Sequence, residues 1–140
     1  MIDASSAIQK LIVSRLAAAN VLPATRIYDG MRKPEVFPCI IVGEGQTIYP
    51  DYDSNFYITQ NTDLHVWTKT DDLYSVKAIA VAIRSALFNA PWTVDGHTCV
   101  NLRVEHSRFM RDPDGIHSHG IVSVTAYLQE SVQLHLGVAQ

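Results

Sequence analysis

The sequence lacks most of the features that mark specialised classes of protein. Its 140 residues include only two cysteines, Cys39 and Cys99, so we expect reduced thiols and no disulfide framework. No apolar run is long enough for a membrane-spanning helix. The opening residues have neither the basic start nor the apolar segment of a secretory signal. We therefore expect a soluble, cytoplasmic protein with no membrane partner.

An excess of basic charge is also missing. Lysine and arginine total 11 against 14 aspartates and glutamates, a formal net charge of −3. This is not the balance of a polybasic nucleic-acid binder, and we expect no sequence-specific contact with nucleic acid. A hydrophobic fraction of 47% with 18% charged residues excludes disorder and collagen-like repeats. The length suits a single domain over residues 1–140 that needs no metal or disulfide to stabilise its core.

Helical periodicity predicts two helices. The first spans about residues 5–20, and its apolar residues share one face: Ile8, Leu11, Ile12 and Leu16. The second, about residues 73–89, follows two aspartates at N-cap positions. Its core stripe is Leu73, Val76, Ile79, Ala80, Ile83 and Leu87. Because Val81, Phe88 and several alanines make the rest of this helix apolar as well, it should bury a second face against the first helix or another subunit.

Apolar runs and turn formers predict the first strands. Short strands are expected at residues 26–28 and 39–42, the second one closed by two glycines. Residues 46–55 are polar and rich in turn formers, which predicts a long exposed loop or a hairpin tip. A long strand over residues 56–70 should follow. Thr62, Leu64 and Val66 share one of its faces, and Asp63, His65 and Trp67 share the other.

Tight-turn signals delimit the later strands. Asp95-Gly96 predicts a tight turn between Trp92–Val94 and His97–Cys99, and the strand after it runs on to Arg111. Asp112-Pro113-Asp114-Gly115 fits a type I turn into a return strand over residues 117–129. Residues 131–140 either add an edge strand or pack on a partner. The order α-β-β-β-α-β-β predicts an α+β fold, with two helices packed on one face of a mainly antiparallel sheet.

No set of residues matches an established catalytic or metal-binding motif. His117 and His119 share a side if they lie on a strand, but the further ligands of a metal site are missing. His97 and Cys99 lack an oxyanion-hole element. The sequence has no G-x-S-x-G elbow, P-loop or HExxH helix. We therefore predict no catalytic, cofactor-binding or metal-binding residues, and no enzyme.

Basic and aromatic residues indicate contact surfaces instead. Arg103, Arg108 and Arg111 form a local basic patch, which is either a protein interface or a solvated sheet face with acidic neighbours. The long polar segment carries a cluster of aromatic residues: Tyr49, Tyr52, Phe56 and Tyr57. Together with Val81 and Phe88 of the second helix, these residues are our predicted assembly interface.

Four stretches of the chain together resemble a known family. In order they are Arg26–Asp29 with Phe37–Glu44, Leu64–Trp67 leading into the helix Lys77–Leu87, Val104–Arg108, and Arg111–Gly115 followed by His119-Gly120. As an ordered set they resemble the tail-completion proteins, or tail terminators, of siphophages and gene transfer agents. The resemblance covers residues 1–129 and leaves 130–140 as a C-terminal extension.

This resemblance implies a structural role and brings no catalytic motif. A tail terminator caps the finished end of a phage or prophage tail tube, stops polymerisation and presents the head–tail joining surface. It implies a hexameric ring, with the tail tube protein and the head-side connector or stopper as further partners. It also implies assembly in the host cytoplasm and a final place at the head-proximal end of the virion tail.

Two alternatives stay open at this point. One is a neighbouring neck protein, either a head–tail stopper or a minor tail protein. The other is a small cytoplasmic metal-dependent enzyme that uses His65 or the pair His117 and His119.

Overall fold

Two α-helices and a six-stranded sheet form the described part of the chain, which is residues 3–30, 36–51, 57–88, 92–94 and 96–130 of a computed structural model. The elements are α1 (Ala4–Ala18), a 3-10 turn (Ala24–Arg26), β1 (Ile27–Asp29), β2 (Cys39–Ile48), β3 (Ile58–Thr68), α2 (Tyr74–Leu87), β4 (Trp92–Val94), β5 (His97–Arg111) and β6 (Ser118–Glu130). Within these residues, neither helix has the length and apolar character needed to span a bilayer.

The sheet is mainly antiparallel, as predicted, but it has an additional strand and one parallel pair. Its strand order is β1-β2-β3-β6-β5-β4. All pairs are antiparallel except β1 with β2. The predicted order α-β-β-β-α-β-β omitted β4, although the turn signal at Asp95-Gly96 already had Trp92–Val94 on its N-terminal side.

The predicted loop at residues 46–55 begins later than expected, because β2 continues to Ile48. The strand passes through Gly43 and Gly45 by way of a bulge between Val42 and Gly45. A side chain at Gly43 would come within 2.5 Å of a His65 ring carbon. The glycines therefore do not end the strand; they let it pass close to β3.

The core lies on one face of the sheet and is covered by both helices. Every second residue of β3 is buried there, and the core positions of β6 alternate in the same way. α1 contacts β2 and β3, while α2 contacts β3, β5 and β6. α1 also reaches β4 at the far edge, where the Arg15 guanidinium lies 4.8 Å from the centre of the Trp92 ring. The sheet thus curls around the helices as a half-barrel instead of lying flat beneath them.

Both helices begin near their predicted positions. The Asp3 carboxylate accepts a hydrogen bond from the Ser6 backbone N–H at 3.0 Å, which makes Asp3 the N-cap of α1. Asp72 does the same for Ser75 at 3.2 Å, although α2 itself starts two residues later, at Tyr74.

The hairpin between β5 and β6 closes through the predicted turn. The Gly115 N–H donates to the Asp112 carbonyl at 3.0 Å, and Gly115 has a φ of +74°. The Asp114 carboxylate accepts from the backbone N–H groups of Ile116 and His117 at 2.8 and 3.0 Å. These hydrogen bonds fix the position at which β5 turns back into β6.

Candidate assembly surfaces

The outward face of α2 carries an apolar stripe. Tyr74, Val81 and Phe88 are 85%, 66% and 55% exposed. They are seven residues apart and therefore lie on one side of the helix, with Phe88 just beyond its C-terminal end. Ala78 and Ser85 between them are small and exposed. The first helix was one of two expected partners for this face. α1 does contact α2, but it leaves the stripe uncovered within the described residues.

The end of β2 presents a second group of exposed apolar side chains. Tyr49, just beyond the strand, is 70% exposed, and Ile48 and Tyr57 are exposed beside it. Tyr52 and Phe56 of the predicted aromatic cluster lie outside the described residues. The described aromatics of this segment are therefore surface residues, as a contact loop requires.

The three arginines of β5 do not form one patch. Arg103 and Arg108 align with Thr125 and Ile121 on the sheet face opposite the helices, whereas Arg111 aligns with Ser118 on the helix side. Arg111 donates to a backbone carbonyl before α2, that of Asp71, at 2.9 Å. The Arg103 guanidinium instead pairs with Glu105 at 2.9 Å.

A bulge determines which of the arginines share a face. β5 has irregularities between Cys99 and Asn101 and between Val104 and His106. Each extra residue reverses the alternation of the side chains that follow it. Arg103 and Arg111, which would share a face of a regular strand, therefore face opposite sides of the sheet, and Arg108 lies on the same side as Arg103. The predicted single patch at Arg103, Arg108 and Arg111 is wrong.

The sheet face opposite the helices carries a stack of three rings. The imidazole of His119 lies parallel to the Trp67 indole, with 4.0 Å between ring centres and 7° between ring planes. Its Nε2 is 2.9 Å from Nδ1 of His65, close enough for a hydrogen bond. Burial, and to a smaller extent the neighbouring His65, lowers the pKa of His119 to about 4. His119 is therefore neutral at pH 7.

Polar side chains continue this open face along the same two strands. Ser123 donates to Asp63 at 2.7 Å, and Thr125 donates to Asn61 at 2.9 Å. A shallow groove of about 500 Å³ lies between these pairs and Arg108. It is wide open and polar, so it resembles a contact surface more than an enclosed binding pocket.

The predicted histidine pair is divided between two different contacts. His117 lies in the turn, where its Nδ1 is 2.6 Å from the Asp114 carboxylate. His119 belongs to the ring stack on β6. Within the described part of the chain, no group of three or more potential metal ligands comes together.

The two cysteines lie in the interior. Burial raises the pKa of the Cys39 thiol, and it raises that of Cys99 to about 11. Cys99 donates through its thiol to the Asn101 carbonyl at 3.3 Å. A thiol with so high a pKa is a poor nucleophile at neutral pH, so the geometry does not favour His97 and Cys99 as a catalytic pair.

Comparison with known proteins identifies the family. The family described as tail completion protein gp17 matches residues 6–129. The chain belongs to this family. Members are structural proteins of phage tails, and the family resemblance seen in the sequence is confirmed. Comparison with curated protein sequences gives no match.

Two solved structures resemble the tail completion protein fold seen here. One is a chain of the virion of a native gene transfer agent particle, with a TM-score of 0.71 and 18% identity, covering 91% of this chain and 98% of that one. The other is the gp17 protein of bacteriophage SPP1, with a TM-score of 0.55 and 26% identity, covering 88% and 89%. At these identities, the first likeness shows the fold alone.

Sequence reasoning missed the stack of Trp67, His119 and His65. The alternation in β3 did place His65 and Trp67 on one face. Their partner on β6 follows only from the register, in which Trp67 lies opposite His119. A histidine close after the hairpin turn was the one signal that could have suggested this contact.

Proposed function

We propose that this tail completion protein caps the head-proximal end of the tail tube. It would stop addition of further tube rings and present the surface to which a head-side connector or stopper binds. The match to the tail completion family over residues 6–129 is the observation that carries this proposal.

A ring, with six copies as the resemblance implies, is the proposed active form. A cap on a tube must contact the tube, the connector and its own neighbours, so it needs several separate surfaces. The chain offers the stripe on α2, the exposed end of β2 and the open face of the sheet. The ring would assemble in the host cytoplasm and remain in the finished virion.

The proposed mechanism is competition for one surface and involves no chemical step. A growing tube end exposes the surface that recruits the next tube subunit. A terminator stops growth if it binds that surface more tightly and offers a different outward face. The buried thiols and the polar, open groove of the described residues suit binding better than catalysis.

Purified tube protein allows a direct test. Tubes are grown alone and with increasing amounts of this protein, and their lengths are measured by electron microscopy. We expect the mean length to fall with added protein and growth to stop at one end only. Tubes whose length distribution does not depend on the added protein would contradict the proposal.

A further inference from the structure

The sheet leaves long stretches of two strand edges without a neighbour. β5 pairs with β6 along its whole length but with β4 only through His97–Cys99, so Val100–Arg111 has no second partner strand within the described residues. On the other side, β2 pairs with β1 only at Ile40–Val42, and in the same part of the chain Gly43–Ile48 has no second neighbour. The backbone N–H and C=O groups of such edges are available to another strand.

We propose that these two edges join neighbouring copies of this chain, with the β1–β2 edge of one copy lying antiparallel along β5 of the next. This inference rests on the proposed function, since it describes how the capping ring is held together. The two edges lie on opposite sides of one sheet, so a contact between them is heterologous. Each added copy leaves one free edge for a further copy, and the series closes when the rotation completes a ring.

The strand directions are consistent with such a joint. β2 is antiparallel to β3, β3 to β6, and β6 to β5, so β2 runs opposite to β5 within one copy. Copies that continue the sheet side by side keep this relation. The strands that meet at the joint are therefore antiparallel, and the helices of all copies stay on the same face of the joined sheet.

The short outer strands lie at different levels and do not collide. Following the register across the sheet, Ile27 of β1 is level with Phe109 of β5, and Asp29 is level with Ser107. β4 lies at the other end, level with Ile58. β1 of one copy thus projects towards the part of β5 that β4 leaves uncovered.

Charge favours this joint over pairing of two β5 edges. The uncovered part of β5 carries three arginines and one acidic residue, Glu105. β1 and β2 carry Asp29 and Glu44 and contain no lysine or arginine. A β5 edge therefore meets opposite charge on the β1–β2 edge, whereas two β5 edges would bring like charges together.

Cross-linking of assembled tails tests the joint. Tyr28 is level with Arg108, so the double variant Tyr28→Cys with Arg108→Cys places two thiols across it. Native Cys39 and Cys99 are buried and do not compete for the reagent. In tails made by a strain that lacks the native gene, a short bis-maleimide should give a ladder of cross-linked copies up to the ring size. Each single variant should give monomers only.

The possible outcomes separate this joint from the capping role. Tails of normal length that yield only monomers from the double variant would overturn the joint and leave capping intact. Dimers from Arg108→Cys alone would show that two β5 edges meet, which also overturns it. Overlong tails in a strain that carries the native gene in trans would contradict capping itself.

If the double cysteine variant no longer caps tails, a charge-reversal series tests the joint instead. Arg108→Glu should raise the fraction of overlong tails roughly tenfold or more, because it adds negative charge to an edge that meets the acidic β1–β2 edge. Adding Tyr28→Arg, at the position level with Arg108 on the same face of the sheet, should restore shorter tails. Lys69→Glu, an exposed position on the turn before α2, makes the same charge change and should have no effect. Arg108→Glu with native tail lengths would overturn the joint.

Discussion

The imidazole of His119 lies flat against the indole of Trp67, and the two residues sit directly opposite each other on β6 and β3. The contact joins the two central strands on the face that the helices leave open. Its second neighbour, His65, is held 2.9 Å away by a hydrogen bond between the ring nitrogens. A charge on His119 would be partly buried and would lie beside His65, which links the stability of the sheet to pH.

Acid should weaken the fold through His119. Its pKa is about 4 in the folded chain, against an ordinary value of 6.5. The unfolded chain therefore takes up this proton more readily, so the stabilisation is complete above pH 6.5 and is lost as the pH falls towards 4. We expect a lower midpoint of urea unfolding at pH 5 than at pH 7.5, and a smaller difference for His119→Gln.

His106→Gln is the control for this experiment, because His106 is exposed on β5. It should keep the native difference between the two pH values. Hydrogen bonds lower the pKa of Asp114 to about 2, and the bond from the Ile116 N–H has the largest effect. Protonation of Asp114 therefore reduces the stability of the fold only below pH 3.8. Equal pH dependence of the native protein and His119→Gln would show that this imidazole is not responsible.

Gly115 should resist substitution because of its backbone conformation. A side chain built at this position meets no atom within 4 Å, so a substitution causes no steric clash. The φ of Gly115 is +74°, however, a conformation that other residues rarely adopt. A β-branched residue in this region costs on the order of 1–2 kcal/mol. Gly115→Val should lower the free energy of unfolding by about that amount, measured by chemical denaturation. Gly115→Asn should cost less, since asparagine tolerates positive φ. Equal stability of all three proteins would refute this account of the turn.

The stripe on α2 should matter for assembly and not for folding. Val81 is 66% exposed, so Val81→Asp should leave the thermal unfolding temperature almost unchanged. If the stripe contacts a neighbour or the tube, the aspartate buries a charge in that contact and tail capping should fail. Val36→Asp makes the same change at another exposed valine and should cap normally. Normal capping by Val81→Asp would remove the stripe from the interface.

Both thiols should be inert in the native protein. Cys39 and Cys99 are buried, and burial raises the pKa of each. A colorimetric thiol reagent at pH 8 should therefore titrate no cysteine in the folded chain and two after denaturation. Rapid reaction of a thiol in the folded protein would show that one cysteine is accessible and would reopen a chemical role for it.

Periodicity predicted the elements that bury one face. The stripe from Ile8 to Leu16 located α1, and the alternation around Leu64 located β3, because each buries one side against the same core. The turn at residues 112–115 followed from local backbone chemistry. In each case the determining physics acts over a few neighbouring residues.

The remaining features depend on contacts between distant parts of the chain. β2 passes through Gly43 because His65, on another strand, occupies the space a side chain would need. The bulge after Val104 puts Arg111 on the opposite face from Arg103, and no local signal marks it. The pairing of Trp67 with His119 needs the register of β3 on β6. Assembly surfaces are harder still to predict, because the exposure of a face in one copy does not show which partner covers it.

The most direct test of the account is the length of tails made without this protein. The gene is deleted from its phage or prophage, and particles are examined by electron microscopy with the native gene supplied in trans as the control. We expect intact heads and unattached tails, many of them overlong, with normal joined particles in the control. Tails of normal length joined to heads in the deletion strain would contradict the capping role. Heads that leak DNA beside free tails of normal length would contradict it as well and point to a head–tail stopper.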